Sequence, residues 1–286
     1  MLSEDFNEPS FRCPHCQVHL VEEARSLQCV NGHSFDVAKE GYVNLLPANK
    51  KNSKDPGDNA LMIASRAQFL EQDYYAPLTR RLAETFEKSL AQSANRRRVC
   101  LLDIGCGEGY YLSKIKRLLG DNSHLYACGL DISKSAVKRA AKRRAYEKVS
   151  VSSAFELPYF DNSFDVLLSI FAPLASRECL RVLKPQGKLI TVNPDSKHLI
   201  QIAEKAYTTK RDLKSLNPVL TEPEWMHISK QSVRFEAKVE KQDIKPLLQM
   251  TPYYYSLKAE VLAELAEQAA LCVTAHFAIN TLTKRP

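Results

Sequence analysis

Residues 99–109 read VCLLDIGCGEG, and the fold follows from that stretch. Val99 to Gly105 is a continuous apolar run ending in an acid and a glycine, as expected of a strand buried on both faces of a parallel sheet. Gly105, Gly107 and Gly109 then form a GxGxG turn, and YYLSKIKRLLG from Tyr110 to Gly120 has helical periodicity. The spacing differs from the GxGxxG of dinucleotide-binding proteins, so no pyrophosphate is expected at the helix start. Glycines there let the main chain approach a ligand closely, because no Cβ intervenes. Asp103, placed just before the first glycine, suits a positively charged end of that ligand.

A GxGxG turn alone is weak evidence, and its surroundings strengthen it. The next strand, HLYACGLD, ends at Asp131, 28 residues after Asp103. An acid at that place can accept both hydroxyls of a ribose. Ser133 then caps the following helix. VSVSSAFELPYFDNSFDVLLSIFAPL supplies a third strand, a turn at Leu157-Pro158 and a fourth strand from Phe164. ECLRVLKPQGKLITV supplies a helix, a Lys-Pro-Gln-Gly turn and a fifth strand. This alternation predicts an α/β domain, a mostly parallel sheet with helices on both faces. Ligands of such sheets lie at the carboxyl ends of the strands. Asp103, Asp131, Ser153 and Phe171 all fall there, with Ser153 and Ala154 beside an adenine. The expected cofactor is S-adenosyl-L-methionine, and the expected chemistry is methyl transfer.

The N-terminus carries a second motif. Residues 13–33, CPHCQVHLVEEARSLQCVNGH, hold a CxxC pair, Cys13 and Cys16, and a CxxxH pair, Cys29 and His33. Three thiolates and one imidazole match the tetrahedral demand of a structural zinc ion. Asn31-Gly32 gives the second knuckle its backbone freedom. His15 and His19 are expected to be exposed. About 40 residues cannot bury a sufficient core, and an ion worth on the order of 10 kcal/mol would replace it. A redox CxxC is the alternative. Cys100, Cys128, Cys179 and Cys272 read as small buried hydrophobes.

The full composition is that of an ordinary globular chain, with 44% hydrophobic and 26% charged residues. No run approaches the ~20 apolar residues that span a bilayer. The polar start, MLSEDFNEPS, lacks the apolar core of a signal peptide, so a cytoplasmic location is expected. A net charge of +7 favours an anionic partner. The division expected is a zinc-binding domain over 1–45, a linker over 46–60, and a catalytic domain over 61–286 with a substrate-facing insertion around 200–255. Candidate RNA contacts are Lys50, Lys51 and Lys54 in the linker and the helical stripe Lys134, Lys138, Arg139, Lys142 and Arg143. Tyr253, Tyr254 and Tyr255 could stack on unpaired bases, with at least one of them in the core. Trp225 is placed in a substrate lid.

Over residues 95–195 the chain resembles class I methyltransferases, with a seven-stranded sheet. More narrowly it resembles the bacterial 23S rRNA (guanine-N1-)-methyltransferases. CPHC, CVNGHSFDVAKEGYVNLLP, DPGD, LDIGCGEGYY, GLDISKSAVKRAAKR, FAP, RVLKPQGKLITV, His198-Leu199 and LLQMTPY carry that resemblance. It implies methylation of guanine N1 in a stem-loop of 23S ribosomal RNA, one zinc at Cys13, Cys16, Cys29 and His33, and a homodimer. Neither a membrane nor DNA is an expected partner. It also implies cofactor contacts at Tyr75, Gly107, Glu108 and His198, beside Asp103, Gly105, Gly109, Asp131, Ser153 and Ala154. Ser153 stands where many class I enzymes have Asp, so adenine recognition leans on backbone groups.

Guanine N1 is protonated at neutral pH, so transfer needs a base or stabilisation of charge developing toward O6. The sequence identifies neither group. No Asn/Asp-Pro-Pro-Tyr motif follows the fourth strand, which argues against amino-group methylation. Phe171, Ala172 and Pro173 stand there, and Phe171 is the candidate to position the target base. Two other readings are a class I enzyme acting on a small molecule and a non-catalytic zinc protein that binds nucleic acid.

Overall fold

A computed structural model describes residues 8–50, 57–91, 98–120, 124–206 and 221–285. The linker lysines Lys51 and Lys54, and the side chain of Lys50, lie outside the described residues. Four short strands come first: β1 (Val21–Glu23), β2 (Ser26–Gln28), β3 (Ser34–Asp36) and β4 (Tyr42–Asn44). Two helices follow, α1 (Ala60–Glu71) and α2 (Ala76–Ala91). Asn59 caps α1, its Oδ1 accepting from the Met62 amide at 2.9 Å.

The α/β alternation then runs β5 (Val99–Ile104), α3 (Tyr110–Leu119), β6 (Leu125–Asp131), α4 (Lys134–Lys142), β7 (Lys148–Val151) and β8 (Phe164–Ile170). It continues through α5 (Ser176–Val182), β9 (Leu183–Pro194), α6 (Ile200–Ala206) and β10 (Trp225–Glu240). α7 (Lys241–Gln249), α8 (Ala259–Glu267) and β11 (Ala270–Lys284) complete it. All six residues of β5 are buried, as its unbroken apolar run requires.

The main sheet has the order β10-β11-β9-β8-β5-β6-β7-β4. From β4 to β9 the pairings are parallel, whereas β11 runs antiparallel between β9 and β10. The seven strands of the class I sheet are β5 to β11, and β4 from the N-terminal segment adds an eighth. The strand order reverses between β5 and β8, so a crevice opens outside their carboxyl ends.

β1, β2 and β3 form a separate ribbon that is docked on the main domain. Phe11 bridges to Tyr159, the Arg12 amide donates to Pro158 O at 2.9 Å, and Lys148 Nζ donates to Pro9 O at 2.8 Å. Phe11, Cys13, Leu20 and Cys29 share one buried cluster with Leu157, Tyr159 and Phe164. The N-terminal segment therefore borrows apolar cover from its neighbour as well as having a place for an ion.

Several expectations change. Cys272 is exposed, because it alternates on β11 with Leu271 and Val273, which face the core. Cys100, Cys128 and Cys179 are buried as expected. Trp225 is no lid residue: it opens β10, is buried, and donates its Nε1–H to Ser176 Oγ at 2.8 Å. β10 pairs with β11 along its length, so this part of the expected insertion is sheet. The Lys-Pro-Gln-Gly turn becomes a bulge within β9, since Leu183 pairs with Phe164 and Lys188 already with Val166. Tyr253 is core, Tyr254 partly buried and Tyr255 exposed, its hydroxyl accepting from Asn59 Nδ2.

Candidate cofactor and metal sites

The zinc knuckles converge. One ligand atom each from Cys13, Cys16, Cys29 and His33 lies within 4.8 Å of the others. His33 Nδ1 is 3.5 Å from Cys13 Sγ, 3.5 Å from Cys16 Sγ and 3.4 Å from Cys29 Sγ, and the Cys16–Cys29 sulfur separation is 3.6 Å. A tetrahedron with zinc–sulfur bonds of about 2.3 Å and zinc–nitrogen bonds of about 2.0 Å has edges of roughly 3.5–3.8 Å. The donor set thus fits zinc, with His33 turning Nδ1 inward. A hydrogen bond from the Asn31 side chain is the main reason that the Cys16 thiol is drawn down to about 6. A thiolate is the form that a metal needs. His15 and His19 are exposed, stacking respectively over Phe35 and Phe160, and neither joins the four ligands.

The glycine loop leaves β5 in left-handed backbone, with φ of 71° at Gly105, 55° at Gly107 and 80° at Gly109. Such angles explain three glycines in five residues. Gly105 has a second reason, because a Cβ there would lie 2.3 Å from that of Ala172. The FAP segment after β8 therefore rests directly on the loop. At Gly107, itself buried, a Cβ would meet nothing within 4 Å, which leaves open space beside the main chain.

Asp131 fastens the same loop. Its Oδ2 accepts from the Gly107 amide at 3.0 Å and its Oδ1 from the Ser133 amide at 2.8 Å. Each oxygen keeps a further lone pair for a ligand. Burial pushes this carboxyl up, and the two amides draw it down. Asp103 behaves differently. It is buried and accepts the Tyr146 hydroxyl at 2.7 Å, while burial lifts its carboxyl to about 7. Tyr146 fills the space that Gly129 leaves on β6, where a Cβ would lie 2.7 Å from its ring. Asp103 is thus tied beneath the loop through Tyr146.

Two buried polar atoms around the loop, Tyr75 Oη and Glu108 Oε1, have no partner among the described residues. Burial raises the Glu108 carboxyl, against the pull of Arg66 and Arg143. Unpaired buried groups cost about 1–3 kcal/mol each, so they mark where a ligand belongs. Arg143 Nε donates to Glu108 O at 2.7 Å and Arg143 pairs with Glu71, while Lys138 pairs with Glu40. Two of the five stripe residues, Lys138 and Arg143, are therefore paired within the fold, and Lys134, Arg139 and Lys142 remain exposed. Ser153 and Ala154 follow β7, with Ser153 Oγ accepting from the Phe155 amide at 3.1 Å.

Phe171 has φ of 59°, and its ring lies 6.0 Å from Tyr111 and 5.4 Å from Phe277. Phe277 also touches His198 at 4.6 Å and Tyr75 at 5.1 Å between ring centroids. Tyr75, Tyr111, Phe171, His198 and Phe277 thus form one aromatic wall beside the glycine loop. The sequence reading missed Tyr111, Tyr146 and Phe277. Their periodic places in α3, after α4 and in β11 marked them only as packing residues.

A left-handed glycine loop open at Gly107, an acid at the end of β6 and orphaned polar atoms fit S-adenosylmethionine. Such a site on such a sheet, with an attached zinc ribbon, defines a class I methyltransferase whose cofactors are S-adenosylmethionine and one structural zinc. Comparison with known families agrees: the profile described as "RlmA, N-terminal", a zinc ribbon, matches residues 11–54, and "Methyltransferase domain" matches residues 96–251. A Streptomyces fradiae protein named 23S rRNA (guanine(748)-N(1))-methyltransferase is 39% identical over 68% of this chain and 66% of its own length. Two proteins provisionally named 23S rRNA (guanine-N(1)-)-methyltransferase also match. The one from Micromonospora griseorubida is 34% identical over 69% of this chain and 70% of its own. The one from Bacillus subtilis is 30% identical over 92% of this chain and 93% of its own, thus across both modules. The chain belongs to the 23S rRNA (guanine-N1-)-methyltransferase family.

Proposed function

We propose that this protein methylates N1 of a guanine in a stem-loop of 23S ribosomal RNA, as a homodimer in the cytoplasm. The observation that carries the reading is the 30% identity to the Bacillus subtilis relative across both the ribbon and the catalytic domain. Among the described residues no helix is long and apolar enough to cross a membrane. The ribbon over 1–45, the linker over 46–60 and the catalytic domain over 61–286 are taken as the working units. β4 is the exception, an edge strand of the catalytic sheet.

When bound, the cofactor supplies an electrophilic methyl carbon on a sulfonium. The residues proposed to hold it are Tyr75, Asp103 (through Tyr146), Gly105, Gly107, Glu108, Gly109, Asp131, Ser153, Ala154 and His198. Gly107 admits it against the main chain, while Gly105 and Gly109 hold the loop in the left-handed backbone that this requires. Asp131 takes the ribose hydroxyls with its spare lone pairs, Glu108 Oε1 and Tyr75 Oη gain partners, and Ser153 with Ala154 edge the adenine. Phe171 holds the target base in line with the methyl group, its ring fixed by Tyr111 and Phe277. Alignment of this kind supplies much of the rate in a displacement. The apolar wall also keeps water from the reacting atoms.

The test is primer extension across 23S rRNA treated with protein and S-adenosylmethionine. Methylation at N1 blocks the pairing edge, so a new stop one nucleotide before a guanine is expected. No stop, together with methylation of a metabolite extract, would contradict the RNA substrate. Solution mass by light scattering tests the dimer.

A further inference from the structure

The LLQMTPY stretch leads into a ring that is exposed yet held in place. Pro252–Tyr255 is a 3₁₀ turn in which Tyr253 is buried and Tyr255 is 63% exposed. The turn is tied to α1 at two points. Ser65 Oγ donates to Gln249 Oε1 at 2.9 Å in the core, and Asn59 Nδ2 donates to Tyr255 Oη at 3.1 Å on the surface. Asn59 is itself fixed, since its Oδ1 caps α1. Tyr254 braces the Tyr255 ring at right angles, with centroids 5.5 Å apart and planes at 85°. A lone exposed apolar side chain needs no explanation. A ring tethered at its hydroxyl and braced by a neighbour has already given up much of its rotamer freedom, which prepares it for contact.

The same tether places the ring at the rim of the crevice. Asp58, the neighbour of Asn59, accepts the Ser133 hydroxyl through its main-chain oxygen at 3.0 Å, and its carboxylate pairs with Arg66 at 2.5 Å. Ser133 in turn donates its amide to Asp131, the acid proposed for the ribose. Lys134, next to Ser133, is exposed and has no ion pair among the described residues. Leu61, two residues after Asn59, is 51% exposed. An aromatic ring, an apolar side chain and an exposed cation thus gather around one hydrogen-bonded pair, Asp58 and Ser133. Unpaired bases stack on such rings, and phosphates pair with such cations. We infer that Tyr255 is a stacking platform for an unpaired base of the stem-loop, with Lys134 pairing a phosphate beside it. The inference rests on the proposed RNA substrate and names residues that bind it. Tyr254 serves as the brace and Tyr253 as core.

The test is filter binding and steady-state methylation with unmodified 23S rRNA, comparing wild type with Tyr255→Leu, Tyr255→Trp and Lys134→Gln. Leucine keeps apolar bulk but cannot stack, so RNA affinity should fall, and KM for RNA rise, by about 5- to 100-fold. The maximal rate and the affinity for S-adenosylmethionine should hold. Tyr255→Trp restores a stacking face and should recover the wild-type affinity. Salt separates the two partners, because stacking releases no counterions. Tyr255→Leu should leave the slope of log affinity against log salt unchanged. Lys134→Gln should make it shallower by about 0.7, the share of one phosphate in a single strand. Wild-type RNA affinity in Tyr255→Leu, or a loss that tryptophan does not recover, overturns the inference. A fall in the solution mass of Tyr255→Leu would assign the ring to a contact between subunits and overturns it too. If wild-type protein neither binds nor methylates the RNA, both readings fall. If wild type methylates it and Tyr255→Leu does so with unchanged KM, only the platform falls.

Discussion

The zinc ribbon and the glycine-loop crevice solve the problem of holding a small ligand in opposite ways. In the ribbon, four ligand atoms from 21 consecutive residues already lie within 4.8 Å of one another, with His33 Nδ1 at tetrahedral edge length from all three sulfurs. In the crevice, β5, β6, β8, β11 and the α1–α2 turn each supply a part, and two of the polar atoms have no partner among the described residues. The ribbon has too little core of its own, so its ion is structural capital. The crevice is built on a full core and can tolerate unpaired groups until its ligand arrives. Ligand loss should therefore unfold part of the first and only unsettle the second.

The largest effect that separates the two should come from the metal. Chelation, or Cys16→Ser, should remove on the order of 10 kcal/mol of ion binding and expose the ribbon to protease, while the catalytic sheet keeps its circular dichroism. An intact ribbon at zero zinc occupancy would erase the contrast. Next comes Gly105→Ala, which meets both a left-handed φ and the Ala172 Cβ at 2.3 Å. A loss of about 1–3 kcal/mol in denaturant unfolding and a fall of at least tenfold in cofactor affinity are expected. Wild-type values for both would show that the loop and the FAP segment move apart freely.

The structure also says why one region was readable and the other only partly so. Cys13, Cys16, Cys29 and His33 were readable as ligands because both halves of the site are local turns with fixed spacing. The glycine loop and Asp131 were readable for the same reason, each lying at the end of an apolar strand. Phe277 was not, since its alternation along β11 says only that it faces inward, and not that Phe171 and His198 meet it there. Tyr146 was hidden likewise, because the gap it fills is made by Gly129 on another strand. Trp225 was misplaced because a Thr-Glu-Pro-Glu lead hid the start of β10, whose Val233, Phe235, Ala237 and Val239 alternate in plain sight.

Smaller effects sharpen the crevice side of the comparison. Tyr75→Phe deletes a buried hydroxyl that has no partner among the described residues, so the ligand-free protein should be as stable as wild type or slightly more so. Cofactor affinity should drop several-fold by calorimetry. A destabilised apo protein would mean that the hydroxyl is already bonded. A further effect concerns pH. The Asp103 carboxyl is raised by burial from 3.8 to about 7 in the folded chain. Between those values the unfolded chain releases a proton that the folded one keeps, so stability falls as pH rises through that window and levels off above it. Asp103→Asn should flatten that slope in unfolding curves taken from pH 5 to pH 8. An unchanged slope would show that Tyr146 holds an ionised Asp103.

Methyl transfer from the crevice to guanine N1 is read most directly from the product. Purified protein, S-adenosylmethionine carrying a labelled methyl group, and 23S rRNA lacking the modification should be combined, and the RNA digested to nucleosides for mass spectrometry. The label should appear in 1-methylguanosine, and Asp131→Ala should abolish it. Label in any other nucleoside, or none in RNA under conditions where a small molecule is methylated, would contradict that transfer.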